Sequence, residues 1–274
     1  EAAREKGYKG LVTSQGVSAL ALAAQFKPSA MTLDLFLPDI NGWRVLNRIK
    51  NDITTRHIPI AVISTDESRE QALNAGAYAF VAKPVQSKEV LDGLLESLAR
   101  FTQRREKCLL IASVDPQTKD HLIQYLAADD LCILTASDSR AAGAIMASRA
   151  VDCVILDAKL PSLDDEIAPS AVDGEPLLDC LPILVYGGAV ESRKVERWRA
   201  LARSAVVRDV RSPERLLDQA SYFLHRDPGR MAEAQRSALR ALHESADVLT
   251  DKRAMKVDDD MRNIAYWLAS NKEK

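Results

Sequence analysis

Residues 33–46 read LDLFLPDINGWRVL. An apolar run carrying one acid, a Pro/Asp/Asn/Gly turn and apolar residues at helical spacing predict a strand, a tight loop and a helix. The preceding residues extend the run to SAMTLDLFL (29–37). Its hydrophobicity is continuous rather than alternating, as expected of a strand covered on both faces within a parallel sheet. The same rhythm continues outward. GYKGLVTS (7–14), HIPIAVIS (57–64) and YAFVAK (78–83) read as strands. GVSALALAAQF (16–26), ESREQALNAGA (67–77) and SKEVLDGLLESLARF (87–101) read as helices between and after them. Strands alternating with helices of this length imply an α/β fold, a doubly wound parallel sheet with helices on both faces.

The pattern restarts at CLLIASVD (108–115) and runs in the same order through TKDHLIQYLAA, LCILTAS, SRAAGAIMAS, VDCVILDA, LPILVYGG, ESRKVERWRALA and AVVRDV to SPERLLDQASYFL (212–224). A repeat of about 110 residues is too long for a solenoid unit and right for a duplicated domain. The 274 residues also suit two domains at roughly 150 residues each. The expected division is residues 1–106, residues 107–226, a charged connecting helix over 227–250, and a C-terminal piece over 251–274. That last piece, KRAMKVDDDMRNIAYWLAS (252–270), reads as a short strand, three acids and the start of a helix.

Composition narrows the function. Lys plus Arg number 37 against 39 Asp plus Glu, a net charge of -2 that gives no general attraction to nucleic acid or an anionic membrane. No apolar run approaches the roughly 20 residues of a membrane span, so a cytoplasmic protein is expected. The four cysteines, Cys108, Cys132, Cys153 and Cys180, lack zinc-site spacing and read as reduced and buried. The chemistry must come from carboxylates. In an open parallel sheet, ligands bind beyond the carboxyl ends of the strands. Asp34, Ser64 and Lys83 stand at three such ends. A carboxylate there can attack phosphorus to form an acyl phosphate, while an ammonium and a hydroxyl hold the transferred oxygens and a metal ion offsets their charge.

In order and context, LDLFLPDINGWRVL, HIPIAVIS and VAKP resemble the receiver domain of two-component response regulators. The resemblance covers residues 7–106 and implies a five-stranded flavodoxin-like fold. It implies that Asp34 is phosphorylated by a histidine kinase or phosphotransfer protein, and that the receiver itself catalyses transfer with Mg²⁺. By the same resemblance Ser64 and Phe80 form the switch, Lys83, followed by Pro84, is the catalytic lysine that ends the fifth strand, and Gly42 sits in the loop's turn. The output is a contact with a downstream protein target. A receiver opens with a strand ending in two metal-binding acids, and the first unit begins after that point. Such a sheet would carry a raw edge.

The second unit resembles the same family in a degenerate form. Asp157 stands where Asp34 does, and Ser113 and Val114 take the acidic-pair positions, with Asp115 just beyond. Gly187 replaces Ser64 and Arg208 replaces Lys83. Loss of both acids weakens a magnesium site and a guanidinium is no ammonium, so Asp157 is expected to be a poor acceptor. The segment SLDDEIAPSAVDGEPLLDC (162–180) replaces an expected helix. The C-terminal piece resembles a receiver's opening, with Asp258 and Asp259 at the metal positions. The chain thus looks like a portion of a multi-receiver hybrid histidine kinase. Alternatively, the C-terminal strand supplies Asp258 and Asp259 to the first unit, by folding back or in a strand-swapped dimer. The competing functional reading is a phosphorylation-independent scaffold. His243 reads as an exposed helical residue, His57 as a local packing or capping residue, Trp43 as a packing residue, and SRKVERWRALARS (192–204) as a solvated basic helix.

Overall fold

A computed structural model describes residues 7–65, 68–85, 87–160, 181–188 and 206–247. The acidic segment 162–180, the basic segment 192–204 and the C-terminal piece with Asp258 and Asp259 lie outside these residues. The described chain runs α1 (Gly16–Phe26), β1 (Met31–Leu33), α2 (Gly42–Asn51), β2 (Ile60–Ser64), α3 (Arg69–Asn74), β3 (Ala79–Ala82) and α4 (Lys88–Gln103). It continues β4 (Lys107–Ala112), α5 (Pro116–Leu126), β5 (Leu131–Ala136), α6 (Ser139–Ser148), β6 (Cys153–Asp157), β7 (Ile183–Tyr186), β8 (Val207–Val210), α7 (Pro213–Phe223) and α8 (Glu233–Asp247).

The strands form two parallel sheets, β1-β2-β3 and β5-β4-β6-β7-β8. The second has all five strands in doubly wound order, with β4 pairing both β5 and β6. The first has three among the described residues, not five, and residues 7–14 form no strand. Strand propensity alone cannot hold an extended segment, because its backbone groups need a neighbouring ladder. In the doubly wound order that ladder would be a strand beside β1, and none stands there among the described residues.

Burial explains the layers of the first sheet. One face, with Ile60, Val62 and Phe80, packs under Ala19 and Ala23 of α1, Val45, Leu46 and Ile49 of α2, and Ala72 of α3. Trp43 joins this cluster, as expected. The other face, with Ala61, Ala79 and Val81, packs under Leu94 and Leu98 of α4. Around the second sheet, α5 and α7 cover Leu109 and Ile111, while α6 covers Leu110 and Ala112. Helix α8 does more than connect: Leu239 and the preceding Met231 enter the same core as α7, and Gln235 donates to the carbonyl oxygens of Tyr125 and Ala127.

The two halves meet through Leu73, which joins the core of the second half, through Tyr78 and Phe101 against the His225 ring, and through a set of polar side chains. Lys50, fully buried at the end of α2, donates to the carbonyls of Arg56 (3.0 Å) and Ile58 (2.7 Å). Its third neighbour is His225 Nδ1 at 3.1 Å. Those three partners match the three hydrogens of a protonated amine, while burial and then the nearby Arg56 charge push Lys50 well below the usual lysine range. Arg56 pairs with Asp218 of α7 at 2.6 Å and lies over the Tyr222 ring. Burial alone would raise Asp218, but the charge and hydrogen bond of Arg56, with help from His243, hold its carboxyl below the usual range. His243 is therefore not a free helical residue. Its Nε2 lies 3.0 Å from Asp218 Oδ1 and 2.8 Å from an Arg56 nitrogen. His57 is a packing residue, its Nδ1 buried without a hydrogen-bond partner among the described residues.

Two predictions follow from this junction. Gly76 has φ +84°, and a Cβ there would overlap the Tyr222 ring. Gly76→Ala is expected to destabilise the chain by about 1–3 kcal/mol through overpacking, read as a lower thermal midpoint. The second concerns acid. Burial, reinforced by Lys50, depresses His225 well below an ordinary histidine. The folded value lies beneath the unfolded one of about 6.5, so this stability is complete above that pH and declines as pH falls below it. Urea midpoints measured between about pH 7 and 5 should drop for the wild type, and less for His225→Asn, which accepts the left-handed backbone (φ 50°) without titrating.

Candidate functional site: an aspartate and a lysine at the strand ends

Asp34 is the first residue past β1, Ser64 the last of β2 and Lys83 the first past β3. The register aligns them: Leu33 is level with Val62, Ser64 with Ala82, and the Lys83 amide donates to the Ser64 carbonyl at 2.8 Å. Three parallel strands thus end together, and their terminal polar residues gather on one rim. The Lys83 ammonium donates to Asp34 Oδ2 at 2.5 Å, and the Phe36 amide donates to Oδ1 at 3.1 Å. Both side chains of the pair remain open to solvent, 31% for Asp34 and 38% for Lys83, so an incoming phosphoryl donor can reach the carboxylate. Ser64 is buried beneath them. Partial burial would raise Asp34, but the Lys83 hydrogen bond, the Phe36 amide and the Lys83 charge outweigh it, leaving the carboxyl below its ordinary value. The group is an anion at neutral pH.

Helix α2 fixes the loop that carries the acid. Its N-cap Asn41 accepts the Trp43 amide at 2.8 Å, and the Gly42 amide donates to the Leu35 carbonyl at 2.9 Å. A Cβ at Gly42 would collide with the Asp34 carbonyl and Leu35 Cα, so the helix can lie this close to the loop after β1 only with glycine there. Asp39, in the same loop, plays a part that the sequence reading missed. Its carboxylate accepts the amides of Gly16 (2.8 Å) and Val17 (2.9 Å), closing the first turn of α1. Its place in the turn after Asp34 gave no hint of a partner about twenty residues upstream. Phe80 is level with Val62 and turned into the core.

The matching rim of the second sheet differs. Asp157 ends β6 and is only 5% exposed. Ser113 donates its hydroxyl to Asp157 Oδ2 at 2.6 Å, and the Lys159 amide donates to Oδ1 at 2.9 Å. Asp115 is an N-cap whose oxygens take the Gln117 amide and the Thr118 hydroxyl. Arg208 does not stand at the lysine position. Tyr186 is level with both Asp157 and Val210, which places Gly187 at the Ser64 position and Ser212, followed by Pro213, where Lys83 and Pro84 stand. Arg208 lies inside β8 and reaches the Asn74 carbonyl of the first half at 2.7 Å. Choosing the basic residue rather than the residue before proline caused the misassignment. Ser212 instead caps α7, accepting the Arg215 amide.

Among the described residues, no three or more His, Cys, Asp or Glu side chains gather where they could hold a metal ion. Asp34 offers one carboxylate ligand, and magnesium, which prefers six oxygens, would need others from water, phosphate or outside these residues. No described helix is long and apolar enough to cross a membrane.

Comparisons with known proteins agree with this rim. Residues 1–94 match the response regulator receiver domain. The chain is 36% identical over 97 residues to the response regulator PleD of Caulobacter vibrioides, covering 34% of this chain and 21% of that protein. It is 33% identical over 115 residues to the transcriptional regulatory protein KdpE of Mycobacterium tuberculosis, covering 42% of this chain and 51% of that protein. These two relatives are therefore spanned for only about a fifth and a half of their lengths. The polar-differentiation response regulator DivK of Brucella anthropi is 30% identical over 82 residues, covering 29% of this chain and 67% of that protein. With its acceptor-like rim in residues 7–85 and these relatives, the chain belongs to the response regulator receiver family.

Proposed function

We propose that the first half is a phosphorelay receiver that accepts a phosphoryl group on Asp34 from the phosphohistidine of a histidine kinase or phosphotransfer protein. The observation that carries this is the 2.5 Å contact between the Lys83 ammonium and an ionised, solvent-reachable Asp34 at the end of a parallel sheet. An Asp34 carboxylate oxygen attacks phosphorus, the phosphorus–nitrogen bond breaks, and neutral imidazole leaves once it has taken a proton. The transferred oxygens then compete with Asp34 for Lys83, and the Ser64 hydroxyl turns toward them. The signal is a shift between two arrangements of these strand ends, read by a protein target. Mg²⁺, which the family resemblance implies, would share Asp34, and the cytoplasm is where such a relay is loaded.

We read the second half as a tandem receiver-like unit without acceptor activity. Its sheet has the complete 2-1-3-4-5 order, yet Asp157 is enclosed by the Ser113 hydroxyl and Ser212 takes the lysine position. Incubation of the whole chain with acetyl phosphate and Mg²⁺, followed by intact-mass measurement, tests both halves of the reading. A gain of one phosphoryl group that disappears in Asp34→Asn and persists in Asp157→Asn is expected. No gain in the wild type under saturating donor would leave the scaffold reading standing. Lys83→Ala should slow labelling on the order of a hundredfold, as expected for loss of a charge-stabilising donor. Gly42→Ala should slow it as well without removing any chemical group, by displacing the Asp34 loop.

A further inference from the structure

Helix α3 leaves the strand that ends in Ser64 and has only six residues, of which Ala72 and Leu73 are buried. Ala72 packs into the core of the first half and Leu73 into that of the second, so this short helix lies between the two. Its C-terminal carbonyls can be accounted for one by one. The Ala75 amide donates to Gln71, the Gly76 amide to Leu73 and the Ala77 amide to Ala72, a Schellman ending with Gly76 in the left-handed region. The carbonyls of Asn74 and Ala75 lie at the end of the helix beside the second half. Both are taken by the second half: Arg208 donates to Asn74 at 2.7 Å, and the Tyr222 hydroxyl donates to Ala75 at 2.8 Å. Tyr222 fits there because Gly76 has no side chain.

The same surface also grips the entrance of β2. Asp218 holds Arg56, and His225 meets Lys50, whose ammonium ties down the carbonyls of Arg56 and Ile58. The second half therefore holds the starts of β2 and β3, the two strands whose far ends carry Ser64 and Lys83. At about 3.3 Å per residue, the gripped Ile58 lies roughly 20 Å from Ser64 along the extended β2 segment. Nothing in the second half's own rim can accept a phosphoryl group by the reading above, yet its Arg208 is spent on this grip.

We infer that the second half is the built-in reader of the first: it clamps the end of α3 and the entrances of β2 and β3, and the strength of that clamp is linked to occupancy of Asp34. The inference rests on the acceptor reading of Asp34. Linkage is reciprocal, so a change at the clamp must alter loading of Asp34 by the same factor that loading alters the clamp. Rim and clamp share β2 and β3, whose far ends carry Ser64 and Lys83 and whose entrances the second half holds.

The test uses the whole chain with acetyl phosphate and Mg²⁺ as the probe. Tyr222→Phe keeps the ring and removes only the hydroxyl, and Arg208→Ala removes the second donor. Intact mass follows the extent of Asp34 loading at equilibrium with donor, and hydrogen exchange follows residues 69–78 and 206–226. In the wild type, loading is expected to change exchange in both segments. Each variant is expected to speed exchange at residues 69–78 and to shift the donor concentration for half-loading about fivefold or more, while exchange in β4 and β6 stays as in the wild type. Unshifted half-loading in both variants, with faster exchange at residues 69–78, would mean that the clamp only stabilises the fold, and the inference is overturned. Unshifted half-loading with unchanged exchange overturns the clamp itself. A wild type that gains no phosphoryl group defeats the acceptor reading instead, and the inference with it.

Discussion

The register between three short parallel strands is the constraint on which everything else depends. Leu33 level with Val62 and Ser64 level with Ala82 bring the ends of β1, β2 and β3 to one height, where an ammonium and a carboxylate from residues 49 positions apart can touch. A slip of one residue in any strand would reverse which side chains face the core and carry Asp34 or Lys83 to the wrong side of the sheet. The apolar surfaces under α1, α2 and α4 are what forbid that slip. Fold and chemistry thus rest on the same packing, and Gly42 shows how tightly they are joined. The helix that covers the core also braces the backbone at Asp34.

Much of this could be read directly from the residues. An acid closing an apolar run, a serine closing another and a lysine before proline closing a third are signals local to each strand, and the sheet only had to align them. What escaped the reading was non-local. Residues 7–14 have strand-like composition, but a strand exists only beside a partner, and composition says nothing of partners. Arg208 looked like a substitute for lysine because charge was matched instead of register. Asp39 resembles any turn acid until the helix it caps is seen beside it. His243 looked solvent-facing because Asp218 and Arg56 approach it from other elements. Asp258 and Asp259, outside the described residues, remain an expected metal pair.

The junction between the halves differs in kind from their cores. Each core is apolar throughout, whereas the junction joins the apolar contacts of Leu73 and Phe101 to a polar set of Lys50, Arg56, Asp218, His225 and Tyr222, most of whose polar hydrogens are engaged. Ion pairs removed from water gain little net stability, because desolvation offsets their attraction, but a partner of wrong shape or charge leaves one of them stranded at high cost. Such a surface is selective rather than adhesive. It fixes one relative arrangement of the halves and penalises the others.

That selectivity bears on how such chains can be recombined. Gly76 and Tyr222 fit each other as a notch fits a tooth, and Lys50 finds its last acceptor only across the seam. Transplanting the first half beside a foreign neighbour would leave an ammonium and a guanidinium facing surfaces never shaped for them. The two halves must therefore be inherited, exchanged or engineered as a single cassette, despite looking in the amino-acid sequence like interchangeable copies of one module.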